Sequence, residues 1–260
     1  MTALIRAELQ KLFTTRLWWV LLLVMLLLIA LFLGFAIAFA GVTQNGAAGL
    51  PARDTPQWAQ LAWGSGSSGT ILVTILGVVM MTAEYRYQTI TGTFLTTPRR
   101  FPVVAAKLLA GVIAGLLFGV AVLLLEAVTV IPAVILSGGT FSPSASHLPQ
   151  TTVGLLAAFA LYALFGIGLG ALVRNQVAAI VGAVVWTYVI EQILTAIPVL
   201  QPVGRWLPAG AAQALMRMDL DTGLGRPDLL PAWGGALVLA GYALLFAAVA
   251  SATTVRRDIT

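Results

Sequence analysis

Two carboxylates stand alone in apolar surroundings, Glu126 in "VLLLEAVTV" and Glu191 in "TYVIEQIL". A pair of acids is the smallest set that supports general acid–base chemistry. Acids inside apolar helices also line pathways for polar cargo, because a charge that faces lipid is costly. The rest of the chemical inventory is thin. His147 is the only histidine and lies in a stretch rich in Ser and Pro, so count alone excludes a His-based triad or a multi-histidine metal site. Cysteine is absent, which removes disulfides and thiolate metal sites. No G-x-x-x-x-G-K-[ST] occurs, so the chain does not bind ATP in the P-loop manner. "GSGSSG", residues 64 to 69, has the G-x-G-x-x-G spacing, but a dinucleotide site needs a preceding strand and a βαβ unit. Here it reads as a linker in an outer loop that leads into a membrane helix. "DLDTG", residues 219 to 223, resembles half a calcium loop without the third acid and the distant Glu, and reads as a turn with solvated acids.

The elements that must position these residues follow from composition. The 260 residues are 60% apolar and 9% charged, with a mean hydropathy of +0.99, against roughly 25% charged in soluble domains. This is the composition of an all-α, polytopic membrane protein. A bilayer core takes about 20 apolar residues per helix, and the candidates are 17–40, 67–83, 103–125, 151–173, 177–197 and 231–254. The first is too long for the apolar region of a signal peptide and is expected to stay as an anchor. Arginine supplies twelve of the fourteen basic residues, and Ala and Gly are abundant, a bias expected of a GC-rich bacterial genome.

Charge sets the orientation. Arg6, Lys11, Arg16, Arg86, Arg99, Arg100, Lys107, Arg174, Arg256 and Arg257 fall on one side of the six spans, against Arg53, Arg205, Arg217 and Arg226 on the other. The positive-inside rule then places both termini in the cytoplasm. Trp18 and Trp19 are expected at the inner interface, and Trp58, Trp63, Trp206 and Trp233 near the outer one. In residues 2 to 16, Ile5, Leu9, Leu12 and Phe13 recur at helical spacing while Arg6, Glu8, Gln10 and Lys11 take the other face, the pattern of an amphipathic helix lying in the inner interface. Gly111, Gly115 and Gly119 recur every four residues and invite close approach of another helix. Gly166, Gly168 and Gly170 do not all share one face and are expected to loosen their helix.

On this frame Glu126 lies 19 residues past Lys107 and Glu191 lies 17 past Arg174, or about 25 to 30 Å from the cytosolic anchors at ~1.5 Å per residue. Both therefore belong in the outer leaflet or at its edge, as pathway residues or as contacts to outer headgroups. Between Pro198 and Pro231, "WLPAGAAQALMRM" is apolar enough for lipid but too short to span. Pro208 is placed to open a short helix, and a re-entrant outer gate segment over 198–230, with Trp206, Pro208 and Met216 as its candidate residues, is expected.

The longest cytosolic connection joins the second and third spans, residues 84–100. It carries Glu84, Arg86 and Tyr87, then Thr89, Thr91, Gly92, Thr93, Phe94 and Leu95, and stops at Pro98 before Arg99 and Arg100. Apolar pegs with a charged rim suit a docking surface. The pattern E-x-R-x-x-T-x-x-G-T-x-x-x-T-x-P-R-R from Glu84 to Arg100 resembles the ABC-2 type permease family, the membrane subunits of bacterial ATP-driven exporters. So do the amphipathic start, Lys107 opening the third span, and the Pro-rich apolar segment before the last helix. The resemblance implies that residues 89 to 97 form a coupling helix seated in a separate ATP-binding subunit. Glu84 and Arg86 would anchor the loop by ion pairs, and Phe94 or Leu95 would insert into the partner. It further implies two permease chains with two ATPase subunits in the bacterial cytoplasmic membrane, with ATP and Mg2+ on the partner and no cofactor on this chain. The cargo would be an amphipathic drug, peptide or lipid, with no nucleic-acid partner. The competing readings are a membrane enzyme using Glu126 and Glu191, and an unpowered channel or assembly protein.

Overall fold

A computed structural model describes residues 1–42, 49–86, 100–173, 175–218 and 229–255. Every regular element among them is helical. Helix α1 (Thr2–Phe13) is followed by α2 (Leu17–Ala38), then α3 (Pro56–Trp63), a 3₁₀ turn (Ser65–Gly69) and α4 (Thr70–Arg86). Next come α5 (Arg100–Leu136), α6 (Leu148–Val173) and α7 (Gln176–Val185), which passes through a π-helical turn (Trp186–Ile190) into α8 (Glu191–Ala196). Short α9 (Gln201–Gly204), α10 (Pro208–Met216) and the long α11 (Ala232–Val255) complete the order. Five helical stretches are long and apolar enough to cross a membrane, Leu17–Ala38, Pro56–Arg86, Pro102–Leu136, Leu148–Val173 and Gln176–Leu194. A shorter apolar run covers Ala232–Phe246.

Local chemistry fixes several helix starts. Thr55 Oγ1 accepts from the Trp58 N–H at 3.3 Å, and Pro56 fills the first turn, where its missing N–H costs nothing. Asn175 Oδ1 accepts from the Ala178 N–H at 3.0 Å and caps the start of α7. Helix α10 ends on Arg217 in the left-handed conformation, φ 52° and ψ 42°, a conformation that closes helix ends by αL capping.

Helix α6 is the hub, packed on α4, α5, α10 and α11. The approach to α4 is at backbone level: a methyl built on Gly77 would strike the Ala163 carbonyl oxygen and stand 3.1 Å from Gly166 Cα. Gly166 and Gly170 therefore meet α4 on one face, and α6 runs unbroken instead of loosening there. On its other side α6 receives Gly115, whose added methyl would lie 2.5 Å from the Phe159 carbonyl oxygen, so the glycine repeat of α5 does serve close helix approach. Helix α2 buries one stripe, Met25, Ile29, Leu33 and Ala36, and leaves Leu23, Leu27, Leu31 and Phe35 exposed.

Two spans differ from the hydropathy reading. The second runs from Pro56 to Arg86, with "GSGSSG" inside it: Ser65, Gly66 and Gly69 are buried in a break of the span and are not an outer-loop linker. The third continues past 125 to Leu136. Trp58 and Trp63 are also displaced from the expected outer belt into the core. Trp58 Nε1 donates to the Ala36 carbonyl at 3.1 Å, and Trp63 Nε1 to Thr152 Oγ1 at 2.9 Å. Trp206 and Trp233 are exposed, as an interfacial residue would be.

Candidate functional site

At one end of the bundle, four charges from three helices converge. Lys107 sits two turns into α5 and is only 4% exposed. Its Nζ donates to Glu8 Oε2 of α1, to Glu84 Oε1 of α4 at 3.1 Å and to the Met80 carbonyl at 3.1 Å. Lys11 Nζ closes the ring, reaching Glu8 Oε1 at 2.7 Å and Glu84 Oε1 at 3.0 Å. Two cations and two anions cancel, and each carboxylate is shared by both lysines, so the cluster meets the condition for burying charge: pairing together with hydrogen bonds. Burial is the largest effect on Glu8 and pushes its carboxyl up, but the charge and hydrogen bonds of Lys107 and Lys11 outweigh it and hold the group below the usual 4.5. Burial likewise works against the Lys11 ammonium, and its bonds to Glu8 and Glu84 overcome this and raise it above the usual 10.5.

This cluster brackets the 84–100 connection: Glu84 begins it and Lys107 follows two turns into α5, and both are tied to each other and to α1. Arg86 Nη1 adds a bond to Gln176 Oε1 at 3.2 Å, at the start of α7. Arg100 opens α5. Tyr87, Thr89, Thr91, Gly92, Thr93, Phe94, Leu95, Pro98 and Arg99, with the expected coupling helix, lie outside the described residues. Helix α1 differs from the simple amphipathic reading: Glu8, assigned to the polar face, is buried beside Leu12, while Phe13 is 39% exposed. The sequence held a signal for this. Lys107 stands inside an apolar helix and needs a counter-charge, which Glu8 and Glu84 supply among the described residues.

The two isolated acids lie away from this cluster, and both are buried. Glu126 is fully buried, its Oε1 accepting from the Gly66 N–H at 2.8 Å in the break of the second span. Glu191, 2% exposed, accepts from Trp186 Nε1 at 2.6 Å and from the Ala209 N–H at 3.0 Å. Headgroup contact is thus replaced by contact within the fold. The Ala209 bond places a carboxylate on the first turn of α10, where the helix dipole favours negative charge. Pro208 opens this helix and is buried, as is Met216, whose carbonyl accepts from Thr151 Oγ1 at 3.2 Å. Gln60 Nε2 holds the Arg217 carbonyl at 3.2 Å. Trp206 precedes α10 and is half exposed, its carbonyl receiving the Tyr242 hydroxyl at 3.2 Å. So α10 is pinned at its N-terminus by Glu191 and at its C-terminus by Thr151 and Gln60. Glu126 accepts from Gly66 and Glu191 from Trp186 and Ala209, so these bonds tie the two acids to different elements. No group of three or more His, Cys, Asp or Glu that would hold a metal occurs among the described residues.

Residues 4–190 match the family model described as ABC-2 family transporter protein. No curated protein and no solved structure matches the chain.

Proposed function

The chain belongs to the ABC-2 transporter family and is a multi-pass membrane protein; from this premise we propose that it is the permease subunit of an exporter powered by a separate ATP-binding subunit. The observation that carries the reading is the cluster of Glu8, Lys11, Glu84 and Lys107, which fastens both ends of the 84–100 connection to α1. A segment held at both ends by a rigid cluster passes a push from a soluble partner into α4 and α5 together. A chain with no P-loop needs such a partner for ATP.

In this reading six helices span the bacterial cytoplasmic membrane with both termini inside, the sixth being α11. Residues 89–97 form the coupling helix, with Phe94 or Leu95 inserted in the ATPase. Two permeases and two ATPases make the working unit, the partner holding ATP and Mg2+. The exposed apolar faces of α2 and of α7, with Val177, Val181 and Val185, are left for lipid and for the second copy. Helix α10 and the turn before it form the outer gate. Closure of the ATPase pair moves the clustered inner ends as one body and opens a path for an amphipathic cargo.

The test is to purify the tagged full-length chain from its native cell in mild detergent and identify stoichiometric companions by mass spectrometry. A P-loop subunit is expected. Its absence, under conditions that preserve other such complexes, would return the channel and enzyme readings to the front.

A further inference from the structure

The corner between α1 and α2 carries positive charge that no acid answers among the described residues. Glu8 is the only acid before Asp54, and it is buried and taken up by Lys107 and Lys11. Arg6 and Arg16 are exposed, and neither forms an ion pair among the described residues. The corner is also firmly built. Trp18 Nε1 donates to the Phe13 carbonyl at 3.1 Å, and the two rings meet edge to face at 5.1 Å. The Thr14 and Thr15 hydroxyls donate to the Gln10 and Leu12 carbonyls, each at 2.8 Å. Arg16 thus leaves a braced backbone at the first residue of the α2 turn. On a helix, positions 16, 19, 20, 23 and 27 share one face. Trp19, Val20, Leu23 and Leu27 are all exposed along it. From Arg16 to Leu27 the strip is about 16 Å long at ~1.5 Å per residue, close to half of a hydrocarbon core of about 30 Å.

We propose that this strip is a binding site for an anionic phospholipid, with Arg16 on the phosphate, Trp19 at the headgroup boundary and an acyl chain along Leu23 and Leu27. The order of residues matches the molecule: a guanidinium fork suits a phosphate, an indole suits the interface, and exposed aliphatic side chains suit one leaflet of chain. Arg6 shares a face of α1 with exposed Phe13 and adds attraction that needs no contact. A zwitterionic lipid would bring an ammonium of its own to the same cations. A second copy packed on this strip about a two-fold axis normal to the membrane would set Arg16 against Arg16 at one depth, which like charge disfavours. A soluble partner does not reach the strip below Trp19, which lies in the membrane span Leu17–Ala38. The site rests on that span alone and does not depend on an ATPase subunit.

The test is native mass spectrometry of the full chain released from detergent micelles that hold equal amounts of dioleoyl phosphatidylglycerol and dioleoyl phosphatidylcholine. The wild type is expected to retain phosphatidylglycerol over phosphatidylcholine. Arg16→Gln should lower that ratio about fivefold, the scale of one cation at an anionic surface, and adding Arg6→Gln should lower it further. Arg16→Lys should keep most of it, and Arg53→Gln, at an exposed arginine ahead of α3, should leave it unchanged. A wild type without preference, a preference that survives the double Gln variant, or one lost equally in Arg53→Gln overturns the proposal. So does a double variant that keeps its lipid ratio but sheds a second copy or another protein in the complex from native cells, because the face would then belong to that protein.

Discussion

Lys107 is the residue on which the cluster with Glu8, Lys11 and Glu84 depends. Removing one partner of a buried ion pair leaves an uncompensated charge and costs about 3–5 kcal/mol, whereas replacing all the buried partners by neutral groups is often harmless. Lys107→Met is therefore expected to lower the thermal midpoint of the purified chain strongly, and Lys107→Met combined with Glu8→Gln and Glu84→Gln to recover most of it, with half-exposed Lys11 free to turn to water. The pH dependence follows from Glu8 and Lys11. Glu8 is lowered on folding, so its contribution is present above its ordinary 4.5 and fades as pH falls through its lower folded value. Lys11 is raised, so its contribution is present below 10.5 and fades as pH rises through its higher folded value. Thermal unfolding scanned against pH is expected to show a plateau between these limits, and Glu8→Gln to flatten its acid edge. Glu191→Leu removes the carboxylate from the first turn of α10. A loss of about 1–2 kcal/mol at a partly buried helix terminus corresponds to roughly 5- to 30-fold faster amide exchange over 209–216, which hydrogen–deuterium exchange would read.

Among elements, helix packing at backbone distance explains where small residues are required. Gly77→Val drives a side chain into the Ala163 carbonyl and is expected to cost about 1–3 kcal/mol or more, while Gly34→Leu, where nothing lies within 4 Å, should leave the thermal midpoint within experimental scatter. The same scale shows what hydropathy could read. Helix α2 begins at the expected Leu17, and α6 and α11 end or begin within a residue or so of the apolar runs that announce them. The second and third spans were mis-sized for one shared reason. "GSGSSG" is polar enough to end an apolar window from one side, and Glu126 ends another, yet the two satisfy each other inside the bundle through the Gly66 N–H. A one-dimensional window scores each as an interruption because their pairing is 60 residues apart. Trp58 and Trp63 misled in the same way, since each carries one N–H that a buried acceptor can satisfy as well as a headgroup can.

For the whole molecule, the charge cluster and the pinned α10 are joined through α6, which packs on α4 and α5 of the cluster and on α10. Motion imposed at the 84–100 connection is thus expected to reach α10 through packed helices rather than through a charged relay. The triple variant Lys107→Met, Glu8→Gln, Glu84→Gln separates stability from coupling: it should fold and still bind the ATPase subunit, but cargo export per ATP hydrolysed should fall several-fold. The absence of cysteine from all 260 residues makes the chain its own background for the measurement that most directly tests the central claim. Single cysteines placed one at a time from 85 to 97, in the complex purified from native cells, would be exposed to a short thiol crosslinker. The account predicts crosslinks from positions 89 to 97 to a P-loop subunit, strongest near Phe94 and Leu95. A scan in which no position from 85 to 97 reaches such a subunit, while the complex remains intact, would contradict it.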